Sequence, residues 1–540
     1  MLFVLLGLAE APWIALWVRG AGAFEAVAAS LVAPALHVLW LTRPWRASTA
    51  FLLLATSALW VSGFQPATIP MASLALWLGI RAAWARGPDE LPAKHAWPMR
   101  GPASLALAMA YLATLLRAYQ AVLVRCTYLC VSGAFIAYLF VRNNSVSGFS
   151  RTAALAEALF VPFASIALAS SAGPLLRTER RAAWVLASAS VSPARQRLAV
   201  ALALAVVAGS LALPYCAVLA FGLELVTAEW AQLIAEHLLL GSSFAVMAEG
   251  VARRALHDRG RDSLRLMLGM GGLTLVYVSS LVTFDRSVGL VAWPLIAAGL
   301  LLWRSRRDAR RGGAAPPPTE RPDMLTISNV HKVLGANRVL QGVDLTVSER
   351  EVTLSHGVNG AGKSTLLRII AGLTAADTGT LRLGRADLEG SSVAYKAQLG
   401  YIPDSSDAFP DLLVSEYVAL VQGLRRPSVA SVDVPQRWLS LLGVDRTWRQ
   451  SLATLSFGQR KRLCTLTALI GDPWLLVFDE PSNGLDAAGV DVLLELISAR
   501  SAKAQATLCC TNDAAFAARL AGRELWLEHG RLRGRDAKQR

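Results

Sequence analysis

The sequence predicts two joined parts: an α-helical, polytopic membrane region of about ten spans, and an α/β domain built around a phosphate-binding loop. Three observations predict this. Roughly the first 300 residues are mostly apolar and dominated by Ala and Leu. A basic stretch followed by Gly, Ala and a Pro run, RSRRDARRGGAAPPPTERP (304–322), then makes a spacer that cannot pack a core. From Met324 onward short apolar runs alternate with helix-like stretches, and GVNGAGKST (357–365) lies among them.

The membrane region rests on composition and charge. The chain has 540 residues, 54% of them hydrophobic and only 17% charged, and its mean hydropathy is +0.43. Soluble domains carry about 25% charged residues, so part of this chain belongs in lipid. Segments long enough to span are 2–18, 22–41, 48–64, 67–85, 121–141, 153–173, 198–221, 231–250, 266–283 and 288–303. The net charge is +15. A nucleic-acid binder would carry such an excess as a stripe on a soluble face. Here much of it falls in alternate gaps between apolar segments, as with Arg177, Arg180, Arg181, Arg195 and Arg197 before span 198–221. That alternation argues for membrane topology and against nucleic acid, with the basic loops and both chain ends on the cytoplasmic side of the cell membrane. The start, MLFVLLGLAEAPWIALWVRG, has no basic n-region and reads as a retained span. Segment 101–119 reads as an amphipathic helix on the inner surface, because a span there would invert every later loop.

Glu10, Glu25, His37, Glu157, Glu236 and His237 fall within these spans. An intramembrane charge costs about 2.5–3.5 kcal/mol on insertion scales. Such residues either line a polar substrate or proton path, or lie near span ends and bond to neighbouring helices. The 6 cysteines show neither zinc spacing nor a dense disulfide framework.

The α/β domain carries the chemistry. EVTLS (351–355) is β-type and KSTLLRIIAGL (363–373) is helix-like, so the Gly-rich stretch has strand–loop–helix context. Gly357, Gly360 and Gly362 let backbone N–H groups turn toward phosphate oxygens, and the helix N-terminus adds partial positive charge. Asn359 and Thr365 belong to the same cradle. Lys363 can reach the β/γ-phosphates and Ser364 can ligate Mg²⁺. LLVFDEP (475–481) is a buried strand ending in two carboxylates. Asp479 suits direct or second-layer holding of Mg²⁺, and Glu480 could polarise an attacking water.

Between these elements lies LSFGQRKRL (455–463), and here the chain from 324 to 540 resembles the ATP-binding cassette (ABC) family. Gly357–Thr365 matches the family's first phosphate motif, Leu455–Gln459 its signature LSGGQ, and Leu475–Glu480 its second nucleotide motif. SNGLD (482–486) resembles the loop that touches a partner cassette. The resemblance implies ATP and Mg²⁺ as cofactors and two cassettes facing head to tail, in a homo- or heterodimer. Ser456, Gly458 and Gln459 would then serve the opposite subunit's ATP.

Several residues depart from the family pattern. Phe457 replaces the first signature glycine, and Leu334 stands where an adenine-stacking aromatic is common. Asp404 takes the place of a glutamine and keeps an oxygen ligand for metal or water. Asn512, in CCTND (509–513), replaces the histidine that meets the γ-phosphate and attacking water. Asn donates a hydrogen bond without carrying charge.

The membrane region has its own resemblance. LLRTERRAAWVLASASVSPARQRLAVAL (175–202) is similar to the inner loop of type-2 ABC permeases. The implied organisation is N-terminal helices over 1–86, a permease-like domain over 87–305, a linker over 306–323 and a nucleotide-binding domain over 324–540. The expected function is an exporter half moving a hydrophobic or amphipathic substrate. The alternatives are a regulatory or structural subunit that hydrolyses poorly, or the degenerate half of an asymmetric pair.

Overall fold

A computed structural model describes residues 99, 101–143, 148–255, 262–283, 286–309, 324–389, 392–404, 408–425, 433–520 and 522–534. The four expected spans within 2–85, with Glu10, Glu25 and His37, lie outside the described residues, as does 310–323 of the expected linker.

Eight helices precede the first strand among the described residues: α1 (Ala103–Ala118), α2 (Gln120–Asn143), α3 (Phe149–Arg181), α4 (Ala183–Ser188), α5 (Pro193–Gly222), α6 (Thr227–Ala255), α7 (Asp262–Thr283) and α8 (Arg286–Ala309). Four helical stretches are long and apolar enough to cross a membrane: Phe149–Arg181, Pro193–Gly222, Thr227–Ala255 and Arg286–Trp303. Helices α2 and α7 also form over the expected spans 121–141 and 266–283. All six expected spans from 121 to 303 are thus helical, four of them meeting the length and apolarity needed to cross a membrane among the described residues, and the other four expected spans lie outside those residues. Helix α8 runs on to Ala309, past the expected span end at 303, through residues such as Arg and Ala that favour helix.

Small residues let these helices approach closely. A Cβ on Gly241 of α6 would lie 3.0 Å from the Ala208 Cβ of α5. The Ser-Pro step of the sequence is a helix start: Ser192 caps α5 by accepting from the Arg195 N–H at 3.4 Å, and Pro193 follows in the first turn.

Among the described residues, the span carboxylates Glu157 and Glu236 are paired. Arg286 of α8 donates to Glu157 of α3 at 2.7 and 2.8 Å, and also bonds Glu236 of α6. The Tyr277 hydroxyl of α7 donates to the second Glu157 oxygen at 3.1 Å. Glu157 thus stands among four helices. His237 is buried and its Nδ1 lies 2.8 Å from the Leu233 carbonyl.

The C-terminal part holds two sheets. One has β1 (Leu325–Leu334), β2 (Asn337–Val347), β4 (Thr378–Leu383) and β5 (Ala386–Asp387), antiparallel in the order β2-β1-β4-β5. The other has β3 (Val352–His356), β6 (Leu399–Ile402), β7 (Leu475–Asp479), β8 (Ala506–Cys510), β9 (Arg523–Glu528) and β10 (Arg531–Gly534) in the order β10-β9-β3-β8-β7-β6. Its pairs are parallel apart from β10 with β9. Every residue of β7 and β8 is buried, the continuous apolar reading expected of strands covered on both faces. Helices α9 (Lys363–Ile370), α10 (Ser392–Ala397), α11 (Val414–Arg425), α12 (Gln436–Leu441), α13 (Phe457–Ala468), α14 (Ala487–Ala502) and α15 (Ala514–Leu520) complete the domain. One apolar cluster gathers β1, β2, β4 and α9 against one side of the parallel sheet, and a second gathers α13 and α14 against the other.

Two membrane-region helices seat on this domain. Trp184 of α4 packs against both apolar clusters. Arg117 of α1 makes a bidentate pair with Glu416 of α11, at 2.6 and 2.8 Å, and donates to the Asp411 carbonyl at 2.9 Å. Helix α1 also packs along α5, so the segment expected on the inner membrane surface is a strut with protein on two sides.

Candidate functional site

The phosphate loop is shaped by close approach. Strand β3 delivers the chain to Gly357, where a Cβ would lie 2.6 Å from the Leu527 carbonyl oxygen. Gly362 has φ +103°, and a Cβ there would lie 2.8 Å from the Val339 methyl. Only glycine fits this left-handed, crowded step. Helix α9 then starts at Lys363 with Gly362 as its N-cap and no side-chain cap, which leaves its first amides free for an anion. Lys363 is buried, and its ammonium donates to the Gly357 carbonyl at 2.6 Å and to Asn512 Oδ1 at 3.0 Å.

The second nucleotide motif meets this loop. Ser364 Oγ donates to Asp479 Oδ1 at 3.1 Å. Burial pushes the Asp479 carboxyl above the usual range, while the Ser364 hydrogen bond and the nearby Lys461 charge pull it back. Glu480 follows at φ +47°, a left-handed conformation that costs a non-glycine residue about 1–2 kcal/mol. Two bonds hold it: its N–H donates to the Cys510 carbonyl at 2.9 Å, and its carboxylate accepts from the Asn512 N–H at 3.1 Å. Asn512 Nδ2 donates to Asn359 Oδ1 at 3.0 Å. One residue therefore joins Lys363, Asn359 and Glu480.

These residues fit ATP with Mg²⁺. An ammonium, a helix N-terminus and glycine amides line the loop, and a hydroxyl–carboxylate pair stands beside it. Among the described residues no group of three or more His, Cys, Asp or Glu could hold a metal unaided. Mg²⁺ in phosphate sites commonly takes one or two carboxylates, with substrate oxygens and water completing the shell. Asp404 accepts from Asn483 Nδ2 at 3.0 Å and raises the Asp479 carboxyl by its charge. Thr365 is partly buried in α9, and Gly360 has open space around its Cα.

The signature residues start their own helix, α13. Ser456 and Gln459 form a capping box at the start of α13: the Ser456 N–H donates to Gln459 Oε1 at 2.9 Å and the Gln459 N–H to Ser456 Oγ at 3.2 Å. Gly458 cannot carry a side chain, since a Cβ would lie 2.4 Å from the Gly484 carbonyl oxygen. Phe457 lies over Gly484, where a Cβ would come within 2.1 Å of its ring, and stays 39% exposed. Leu334 is exposed at the end of β1.

Sequence reasoning passed over Lys461. Its ammonium, on a side chain only 3% exposed, donates to the Asp479 carbonyl at 2.7 Å and the Pro403 carbonyl at 3.0 Å. Burial pushes its pKa down, while Asp404, Asp479 and Glu480 support its charge. The signal was helical spacing: Lys461 shares the i, i+3, i+4, i+7 face of α13 with buried Cys464, Thr465 and Ala468. The Arg117–Glu416 tie was also missed, and no local pattern announces a pair so distant in sequence.

The C-terminal part is similar in sequence to known proteins. The sequence model of the family described as ABC transporter matches residues 340–483. The aliphatic sulfonates import ATP-binding protein SsuB 2 of Xanthomonas axonopodis pv. citri (strain 306) is 35% identical over 209 residues, covering 38% of this chain and 69% of its own length. The lipoprotein-releasing system ATP-binding protein LolD 1 of Caulobacter vibrioides is 33% identical over 203 residues, covering 36% of this chain and 86% of its own. A solved structure of an ATP-binding subunit of an ABC transporter is 27% identical, with a TM-score of 0.37, over 39% of this chain and 88% of that one. The chain belongs to the ABC transporter family: its C-terminal part is the ATP-binding, ATP-hydrolysing cassette that drives transport, and its N-terminal part supplies apolar helices fit to cross a membrane.

Proposed function

We propose that this chain is one half of an ATP-driven exporter, dimeric in a cytoplasmic membrane, with the cassette and both chain ends on the cytoplasmic side. The observation that carries this reading is the seating of α1 and α4 on the cassette, through Arg117–Glu416 and Trp184. A cassette that closes on a second copy pulls on both helices, and so on α3 and α5 that flank α4. The type-2-permease resemblance of 175–202 favours export, and spans within 2–85 are an addition to that plan. The substrate in this reading is hydrophobic or amphipathic.

Each site residue has a role in this reading. Lys363 and the amides of Gly357, Gly360 and Gly362 hold the β- and γ-phosphates, with Asn359 and Thr365 completing the cradle. Ser364 and Asp479 would hold Mg²⁺, with Asp404 as a further oxygen ligand for metal or water. Bound ATP with Mg²⁺ supplies the phosphoryl group and the charge that neutralises it. Glu480 takes the proton of the attacking water, and Asn512 positions both Glu480 and Lys363. Ser456, Gly458 and Gln459 close over the opposite subunit's nucleotide.

Asn512 favours a second reading, a subunit that binds ATP well and turns it over slowly, alone or beside a competent partner chain. Its amide cannot carry the charge of an imidazolium. The deciding experiment is Mg²⁺-dependent ATP hydrolysis by the full chain in lipid, beside Glu480→Gln. Turnover abolished by the substitution supports the self-sufficient dimer. ATP binding with no turnover above the control sinks it in favour of the second reading.

A further inference from the structure

We propose that Lys461 is a positioning residue for ATP hydrolysis, tying the backbone at the ends of β6 and β7 to the signature helix so that Asp404, Asp479 and Glu480 are held in one register. The proposal rests on the reading of the site given above.

The geometry is specific. The Lys461 ammonium bonds the carbonyl of Asp479, the last residue of β7, and that of Pro403, just after β6. Each carbonyl precedes a residue of the site: Glu480 follows Asp479, and Asp404 follows Pro403. Holding the Asp479 carbonyl fixes the peptide plane that leads into Glu480, which needs its left-handed φ of +47° to reach Asn512. Lys461 stands five residues beyond Ser456 on the same short helix. One rigid element thus carries the residues that face the opposite nucleotide and the tie that shapes this subunit's own site.

A cation in this place also has an electrostatic effect. Asp404, Asp479 and Glu480 crowd negative charge around the metal position, and Lys461 offsets it. A purely structural tie needs no such neighbours. Arg425 shows the contrast: it is equally buried and bonds the Leu399 carbonyl at 3.0 Å and the Ile470 carbonyl at 2.6 Å, at the other end of β6. That lies about 13 Å along the strand from the catalytic end.

The test uses the full chain in lipid nanodiscs, with Lys461→Met, Lys461→Gln and Arg425→Met. Turnover is measured against ATP concentration, and Mn²⁺, an EPR-visible substitute for Mg²⁺, is titrated in the presence of ATP. The expected result for Lys461→Met is a kcat lower by about tenfold or more, a KM within about twofold, and Mn²⁺ bound severalfold more tightly because a repelling charge is gone. Lys461→Gln should fall between, and Arg425→Met should leave the Mn²⁺ affinity unchanged. Parent-like kcat and Mn²⁺ affinity in Lys461→Met overturn the proposal, as does failure of both Lys461 variants to fold, which makes the tie structural. Failure of the parent to bind Mn²⁺ with ATP would instead sink the underlying reading of the site.

Discussion

Asn512 joins three parts of the site with one short side chain and its own backbone. Its side chain accepts a hydrogen bond from Lys363 and donates one to Asn359, and its backbone N–H donates to Glu480. Position is therefore retained where charge is lost. A missing electrostatic stabiliser commonly raises a barrier by about 2.7–4 kcal/mol. Asn512→His should raise kcat by about tenfold or more, read as phosphate release, with ATP affinity nearly constant. An unchanged rate would place the slow step elsewhere. The phosphate loop, Asp479 and Glu480 were legible in the sequence because each motif is local, set by glycine sterics and by a strand that ends in carboxylates. The hub role of Asn512 was not legible, since its partners come from three separate segments.

Single elements carry the link between membrane region and cassette. Helix α1 is held by Arg117, one-fifth exposed, against a Glu416 side chain that is fully buried. Arg117→Ala leaves that carboxylate with the Leu413 N–H, at 2.9 Å, as a bonded partner. Breaking a buried pair from one side costs about 3–5 kcal/mol, and a carboxylate that keeps a bonded N–H points to the lower figure. The measurement is cassette melting beside substrate-stimulated ATPase: melting should fall and stimulation should vanish while basal turnover persists. Stimulation intact in a folded variant would remove α1 from the coupling path. In the spans, Arg286→Ala should lower folded yield by stranding Glu157, and Glu157→Gln with Arg286→Met should restore most of it. Fluorescence-detected size exclusion reads both. Equal yields for the single and double variants would mean that the charges are not coupled.

At the scale of the whole molecule, one cassette carries a phosphate loop before α9 and a signature at the start of α13. The Ser456 and Gln459 hydrogen bonds run to each other, and both phosphate-side carboxylates lie elsewhere. A second copy completes the arrangement in the proposed reading. Glu480→Gln with ATP and Mg²⁺ should therefore lock a dimer visible by light scattering in detergent, and Ser456→Arg should prevent it. A locked dimer that tolerates Ser456→Arg would argue against the signature as the contact.

The sequence by itself determined the division into an apolar region and an α/β domain, the Gly-rich loop between strand and helix, and the strand that ends in Asp479 and Glu480. These follow from composition, from periodicity and from residues within a few positions of one another. Tertiary structure alone decided that α1 is a strut between α5 and α11, that Glu157 and Glu236 share Arg286, and that Lys461 closes the ends of β6 and β7. The physical reason is common to all three: a buried charge must find its partner in space, and the partner's place along the chain leaves no mark on the local pattern.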